Sequence, residues 1–259
     1  MNDIEFQRRY GPWAVVTGAS SGIGRELALQ CASRGLDVIV VARDRDRLDE
    51  AAAAIRAQGR QARVVVADLG QPEAIAAVAD AARDAQVGLL ALAAGFGQAG
   101  PFLDSDDELQ REMVEVNCTS LMAMTHYFAP AMARQGRGAV LMVASMLGFH
   151  GTPYAAHYAA TKAYVQSFGE ALAVELADQG VDVLVTSPGP TATRFGERAG
   201  MRLDHAMPAD AVARATLNAL GRRTNLLPGA LTKLLRGALW PLPRSARVRM
   251  IGRVMKGMT

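Results

Sequence analysis

The chain has few of the features that announce several common protein classes. It has two cysteines, Cys31 and Cys118, and four histidines in 259 residues. Two isolated thiols do not make a disulfide framework, and neither cysteine nor histidine recurs at metal-ligand spacing. No zinc or other metal site is expected. Aromatic residues make up only 5% of the chain. No apolar run reaches the ~18 uninterrupted residues of a spanning helix. The first ten residues are polar and lack the apolar core of a secretory signal. These absences point to a reducing, cytoplasmic setting. Half of the residues are hydrophobic, so disorder is not expected. The length suits one domain with a substantial core.

Acidic residues are also missing from one region. Asp210 is the last acid, and ten basic residues follow it. With a net charge of +3, residues 1–210 must carry about −7. Such asymmetry points to a partner for the tail. No nucleic-acid reader motif accompanies the charge, so nucleic acid is not expected.

Short apolar runs alternate with helical patterns. Strands are expected at 13–17, 37–42, 62–67, 88–93, 138–144 and 181–187, and helices at 22–34, 45–58, 72–85, 107–134 and 155–179. This alternation predicts a parallel α/β sheet covered on both faces. With right-handed crossovers it is doubly wound. No linker or repeat divides the chain.

The first strand runs into Gly18-Ala19-Ser20-Ser21-Gly22-Ile23-Gly24, and a helix follows. Strand, glycine turn and helix form the context a phosphate-binding turn requires. Gly18 permits the tight turn, Gly22 lets backbone approach a pyrophosphate, and Gly24 permits close helix–strand packing. The helix N-terminus offers free N–H groups to phosphate.

The chemistry is carried by Tyr158-Ala-Ala-Thr-Lys162. Positions i and i+4 share one helix face. A phenol ionises near pH ~10, and a neighbouring ammonium is expected to lower that value. A phenol so tuned exchanges a proton with an alcohol or alkoxide. Ser145 ends the fifth strand, where it faces the ligand crevice of such sheets. Its hydroxyl can steady negative charge on a substrate oxygen.

In order and spacing, Thr17 to Gly24, Asp68, Asn117, Ser145, Tyr158, Lys162 and Pro188-Gly189 resemble the short-chain dehydrogenase/reductase family. The match covers roughly residues 10–195. The resemblance implies a single-domain Rossmann fold, a nicotinamide cofactor and a catalytic set of Asn117, Ser145, Tyr158 and Lys162. In that set Lys162 also binds the nicotinamide ribose, and Asn117 holds a water that links Lys162 to solvent. By resemblance Asp68, followed by Leu69, contacts adenine, and Ala94-Gly95 ends the fourth strand. Pro188-Gly189 sits beside the nicotinamide, and Thr193, with Thr191 as competitor, reaches the carboxamide or phosphates.

At the end of the second strand stands Arg43, with Asp44 after it. An arginine fork can pair with a 2′-phosphate, and in the family this residue marks NADP preference. NAD stays open if Asp44 is the reader instead. One position departs from the family: Leu92-Ala93 replaces two asparagines, the first of which ties neighbouring strands together. A polar partner there must be satisfied otherwise.

The resemblance implies a substrate loop at residues 190–207. Phe195, Met201, Leu203 and Met207, with Met146, Leu147, Phe149 and Tyr154, predict an apolar pocket. The segment 221–259 mixes apolar and basic residues around Trp240. It is either an amphipathic surface for an anionic membrane or a helix pair over the substrate cleft or a subunit interface. The expected activity is NADP(H)-dependent interconversion of a carbonyl and an alcohol on a lipophilic small molecule. NAD-dependent alcohol oxidation and a dinucleotide-binding regulator are the alternatives. Homo-oligomers are usual in the resembling family.

Overall fold

The computed structural model describes residues 1–201, 206–239 and 241–258. The chain opens with α1 (Asp3–Tyr10), and strands and helices then alternate through most of its length. β1 (Trp13–Thr17), α2 (Gly22–Ser33), β2 (Asp37–Ala42), α3 (Arg45–Ala57) and β3 (Ala62–Val66) form the first half. α4 (Glu73–Ala81), β4 (Val87–Leu92), α5 (Asp107–Val114), α6 (Ser120–Gln135), β5 (Gly138–Val143), α7 (Ala156–Glu175) and β6 (Val181–Thr186) follow. Smaller elements then lead out: β7 (Thr191–Ala192), α8 (Phe195–Ala199), β8 (Met207–Pro208), α9 (Ala209–Ala219) and β9 (Asn225–Leu226). The chain ends in α10 (Ala230–Leu239) and α11 (Arg244–Met258).

Seven strands form one parallel sheet in the order β3-β2-β1-β4-β5-β6-β9. The order reverses between β1 and β4, and ligands of such sheets bind outside the strand ends at that point. Strand residues divide by parity between two cores. Ala14, Val16, Val38 and Val40 pack on one face, and Val15, Ile39, Val41 and Leu90 on the other. Both faces are dry, which is why these strands read as continuous apolar runs rather than alternating ones.

The six long strands and five main helices fall within a few residues of their expected positions. Three features were not expected. α1 is tied down by buried Phe6 and Tyr10, and Tyr10 donates to Asp182 at 2.6 Å. The expected helix at 107–134 is interrupted by a π-turn at Glu115–Thr119. Several small elements follow β6. Among the described residues no helix is long and apolar enough to cross a membrane.

Candidate active site

The glycine turn is fixed by contacts that exclude side chains. Gly18 and Gly22 have φ of +67° and +57°, a region L side chains rarely adopt. A Cβ on Gly24 would lie 2.3 Å from the Gly18 carbonyl oxygen. One on Gly22 would meet Thr193 Cγ2 at 2.9 Å, so Thr193 covers the turn. Ser21 precedes α2 without capping it through its side chain. The N–H groups at this helix end therefore retain their capacity for an anion. Ser20, Ser21 and Ile23 line the same cleft.

Arg43 lies where the second strand reaches that cleft. Its guanidinium is 3.1 Å from Glu112 Oε1 and 3.8 Å from Asp68 Oδ2. Half-exposed pairs of this kind are weak, about 0–1 kcal/mol, and leave the fork available for a phosphate. Asp44 is otherwise engaged. It caps α3 by accepting from Arg47 N and pairs with the Arg47 side chain at 3.2 Å. Asp68 accepts from Gly70 N at 3.0 Å, and Leu69 follows it along the cleft.

The replacement at Leu92 is resolved by packing. Leu92 is 3% exposed and lies in the apolar core with Leu121, Met124 and Met142. Thr17 Oγ1 takes the polar role, accepting from both Ala93 N and Ala94 N at 3.1 Å. The backbone beside the missing asparagines is thus satisfied from β1.

Asn117, Ser145, Tyr158 and Lys162 are all buried around the end of β5. Tyr158 and Lys162 share one face of α7, and the Lys162 ammonium lies 5.9 Å from the phenol ring centroid. Lys162 Nζ donates to Val143 O at 2.9 Å. Ser145 lies beside Tyr158, where its hydroxyl favours the phenolate, and accepts from Leu147 N at 3.2 Å. Asn117 stands on the π-turn behind the cleft wall rather than in a regular helix. It donates to Phe96 O at 2.9 Å and to Thr161 Oγ1 at 3.0 Å, and accepts from Phe96 N at 3.0 Å. Thr161 in turn donates to Tyr158 O at 2.8 Å. Gly95 is the contact point. A Cβ there would meet Asn117 Oδ1 at 2.9 Å and Lys162 Nζ at 3.1 Å.

The expected depression of the phenol is not found. Burial pushes Tyr158 up to about 12, and the Ser145 hydroxyl only partly opposes it. Burial also pulls Lys162 down to about 8, against an attraction to Cys118. By the pH at which the phenol ionises Lys162 has already lost its proton, so desolvation outweighs charge here.

Pro188-Gly189 and Thr191 face the cavity. Pro188 O accepts from Met146 N at 3.0 Å, which couples this turn to the Ser145 loop. Met146, Leu147, Phe149, Phe195 and Met201 form an apolar wall. Phe195 lies against Tyr158, ring centroids 5.2 Å apart. Two expected pocket residues are placed elsewhere. Tyr154, at φ +64°, borders a separate cleft of about 200 Å³ beside Gln98 and His157. Met207 pairs in register with Thr191 through β8 and does not face the cavity. Leu203 and Trp240 lie outside the described residues.

The sequence reading left the tail open between two arrangements, and the cleft-covering one is found. α10 and α11 close over the cavity with Leu231, Leu235, Met250, Val254 and Met255. Thr232 rests on the Pro188-Gly189 turn, its Oγ1 2.5 Å from where a Gly189 Cβ would be. The whole cavity measures about 1020 Å³. The uncapped helix end, the glycine contacts and Arg43 fit a phosphorylated dinucleotide. Among the described residues no group of His, Cys, Asp or Glu is arranged to hold a metal ion.

A sequence model described as short chain dehydrogenase matches residues 12–202. The chain is 34% identical over 191 residues to 7β-hydroxysteroid dehydrogenase of Clostridium sardiniense, covering 73% of each protein. It is 37% identical over 186 residues to very-long-chain 3-oxoacyl-CoA reductase of Neurospora crassa, covering 68% of this chain and 56% of that protein. A solved structure concerned with 7β-hydroxysteroid dehydrogenase stereoselectivity superposes with a TM-score of 0.88. It is 28% identical and covers 97% of this chain and 99% of its own. A short-chain dehydrogenase from Sphingobium yanoikuyae, in complex with NADPH, gives 0.79 at 33% identity, covering 89% and 94%.

Proposed function

The chain belongs to the short-chain dehydrogenase family, and from that premise we propose that it interconverts a carbonyl and an alcohol on a bulky, lipophilic, multi-ring substrate with NADP(H). The carrying observation is the burial of Ser145, Tyr158 and Lys162 together beneath an apolar cavity of about 1020 Å³. That volume is at the top of the ~300–1,000 Å³ range of ligand pockets, enough for a dinucleotide and part of a large second ligand. The hydroxysteroid dehydrogenases among its relatives support the multi-ring class. Arg43 supports NADP over NAD, because Asp44 is occupied in capping α3.

A nicotinamide dinucleotide would be held by the glycine turn, Arg43 and Asp68, and when bound it would supply or accept the hydride. The chain's residues do the rest. Tyr158, whose pKa is pushed up to about 12, keeps its proton at neutral pH and presents it to the substrate oxygen. Ser145 donates a hydrogen bond to the same oxygen as charge grows there. Lys162, held on Val143 O, lies close enough to steady the phenolate once it forms. Asn117 locks the 95–96 turn to α7 and so positions both. The apolar lid of α10 and α11 limits water in the cleft.

The test is oxidation of NADPH and NADH by purified protein over a panel of steroid ketones, small ketones and sugars, with Tyr158→Phe alongside. NADPH-dependent reduction of multi-ring ketones, lost in Tyr158→Phe, is expected. Efficient reduction of sugars with none of the ketones would overturn the substrate class. Failure to bind either cofactor would overturn the whole reading.

A further inference from the structure

The walls of the cavity are not uniformly apolar. Its acidic lining residues, Asp44 and Asp68, both lie where β2 and β3 end, at the dinucleotide side. The opposite side is lined by Arg194, Arg198, Arg236 and His150, with no carboxylate among them. Among the described residues, no carboxylate pairs with Arg194, Arg198 or Arg236. Arg194 and Arg198 are exposed and Arg236 is half-buried, so their charges stand open at the cavity edge to a charge-assisted contact with an incoming anion.

Arg236 is the best placed of the four. Its guanidinium carbon lies 4.3 Å from the Phe149 ring centroid. That stack fixes the fork beside the wall that begins at Ser145. Arg236 also stands one helical turn beyond Thr232, the residue that touches Gly189. Residues i and i+4 share a face and are ~6 Å apart along the axis. The cation is therefore close to the reacting end, yet offset along the lid. Arg244 and Arg247 lie near His150 as well.

We propose that Arg236, with its neighbouring cations, receives an anionic group carried by the substrate at a distance from the reacting carbonyl. The substrate is then an anionic amphiphile: an apolar body under the α10–α11 lid, with a carboxylate or phosphate at the cationic wall. This rests on the reading of the cavity as a carbonyl-substrate site and adds the charge of the substrate to it. It also assigns a role to part of the basic tail, whose cations have no acids in their own segment.

The test is calorimetric titration of full-length protein saturated with NADP+, so that a ketone binds without being reduced. One arm compares a steroid ketone carrying a side-chain carboxylate with its methyl ester. The other compares a 3-oxoacyl coenzyme A thioester with its N-acetylcysteamine counterpart, which lacks the phosphates. The charged member of at least one pair is expected to bind ~tenfold or more tightly, the worth of one charge-assisted contact. Preference in the first pair assigns a carboxylate; preference in the second alone, diminished by Arg236→Met, assigns a phosphate. Arg236→Met keeps a stem against Phe149 and should bring that ratio towards one, while Arg236→Lys should retain part of it. Ratios near one in both arms for the unaltered protein, or a ratio unchanged by Arg236→Met, would overturn the proposal. Turnover of the ester without preference for the acid would overturn it and leave the carbonyl-reductase reading intact. Preferential binding of the charged member, with neither member of the pair reduced by NADPH, would support it and count against that reading.

Discussion

Two ionisable side chains in the cleft depart from their ordinary behaviour in opposite directions. Tyr158 is pushed up to about 12 and Lys162 down to about 8, both chiefly by burial. The sign of the consequence follows from proton counting. Between pH about 8 and 10 the unfolded chain holds a proton on Lys162 that the folded chain has released. Stability therefore rises with pH across this window. Tyr158 acts the other way, but only above its ordinary value near 10. Thermal melts from pH 7.5 to 10 should show Tm of the unaltered protein rising relative to Lys162→Met. Parallel profiles would show that Lys162 titrates normally. For chemistry, Tyr158→Phe keeps the ring against Phe195 but removes the proton. Loss of general acid–base help is worth about 10²–10⁴-fold. That loss should appear in kcat for ketone reduction, with NADPH affinity by fluorescence titration nearly unchanged. The sequence placed Tyr158, Lys162 and Ser145 together because helix spacing and strand-end position are local properties. It misjudged the phenol because desolvation depends on everything packed around the ring, Gly97 and Phe195 included.

The elements show the same division between local and distant causes. β1, the glycine turn and α2 are legible because each is written in consecutive residues. The π-turn that carries Asn117 is not, since nothing in Glu115-Val116-Asn117-Cys118-Thr119 announces it. α1 left a faint signal, Phe6 and Tyr10 at i and i+4, but its anchor is Asp182, far along the chain. Tyr154 shows the reverse error: it was expected in the main pocket, and the backbone turns it into a neighbouring cleft. The contact between α10 and the Pro188-Gly189 turn could not be read from sequence either, yet it makes a sharp prediction. Gly189→Ala brings Cβ within 2.5 Å of Thr232 Oγ1 and 3.2 Å of Met146 Sδ. Thr232, or the turn of α10 that carries it, must give way, and kcat/KM for a large ketone should fall by about tenfold, as overpacking costs ~1–3 kcal/mol. Thr232→Ala removes the nearer clash, so the double variant should recover most of the loss. A double variant no better than Gly189→Ala would show that the damage lies in the turn and not in the seating of α10. Coupling of this kind is expected of residues in direct contact.

At the scale of the whole molecule the chain divides its labour by position. The sheet and the first helices build the dinucleotide side, with the glycine turn, Arg43 and Asp68 at the ends of β1 to β3. The last thirty residues build most of the lid on the other side. α10 and α11 expose Leu231, Leu235, Met250 and Val254 by about 40–60% because these side chains look into the cavity and not into a core. Their apolar surface is therefore available for a ligand to bury, at roughly 25 cal/mol per Å². Removal of residues 230–259 should leave the sheet intact, because β9, its last strand, ends at Leu226. The shortened protein should bind NADPH within about threefold of the full chain, since charge and backbone contacts at the glycine turn dominate that affinity. Its KM for a multi-ring ketone should rise at least ~tenfold, the equivalent of 1.4 kcal/mol or some 55 Å² of lost apolar contact. A small ketone, which reaches only the wall around Ser145 and Phe195, should be affected much less. Circular dichroism and NADPH titration separate this outcome from unfolding. An equal loss for large and small ketones, with cofactor binding retained, would mean that the lid serves to exclude water from the Tyr158 site and not to hold the substrate body.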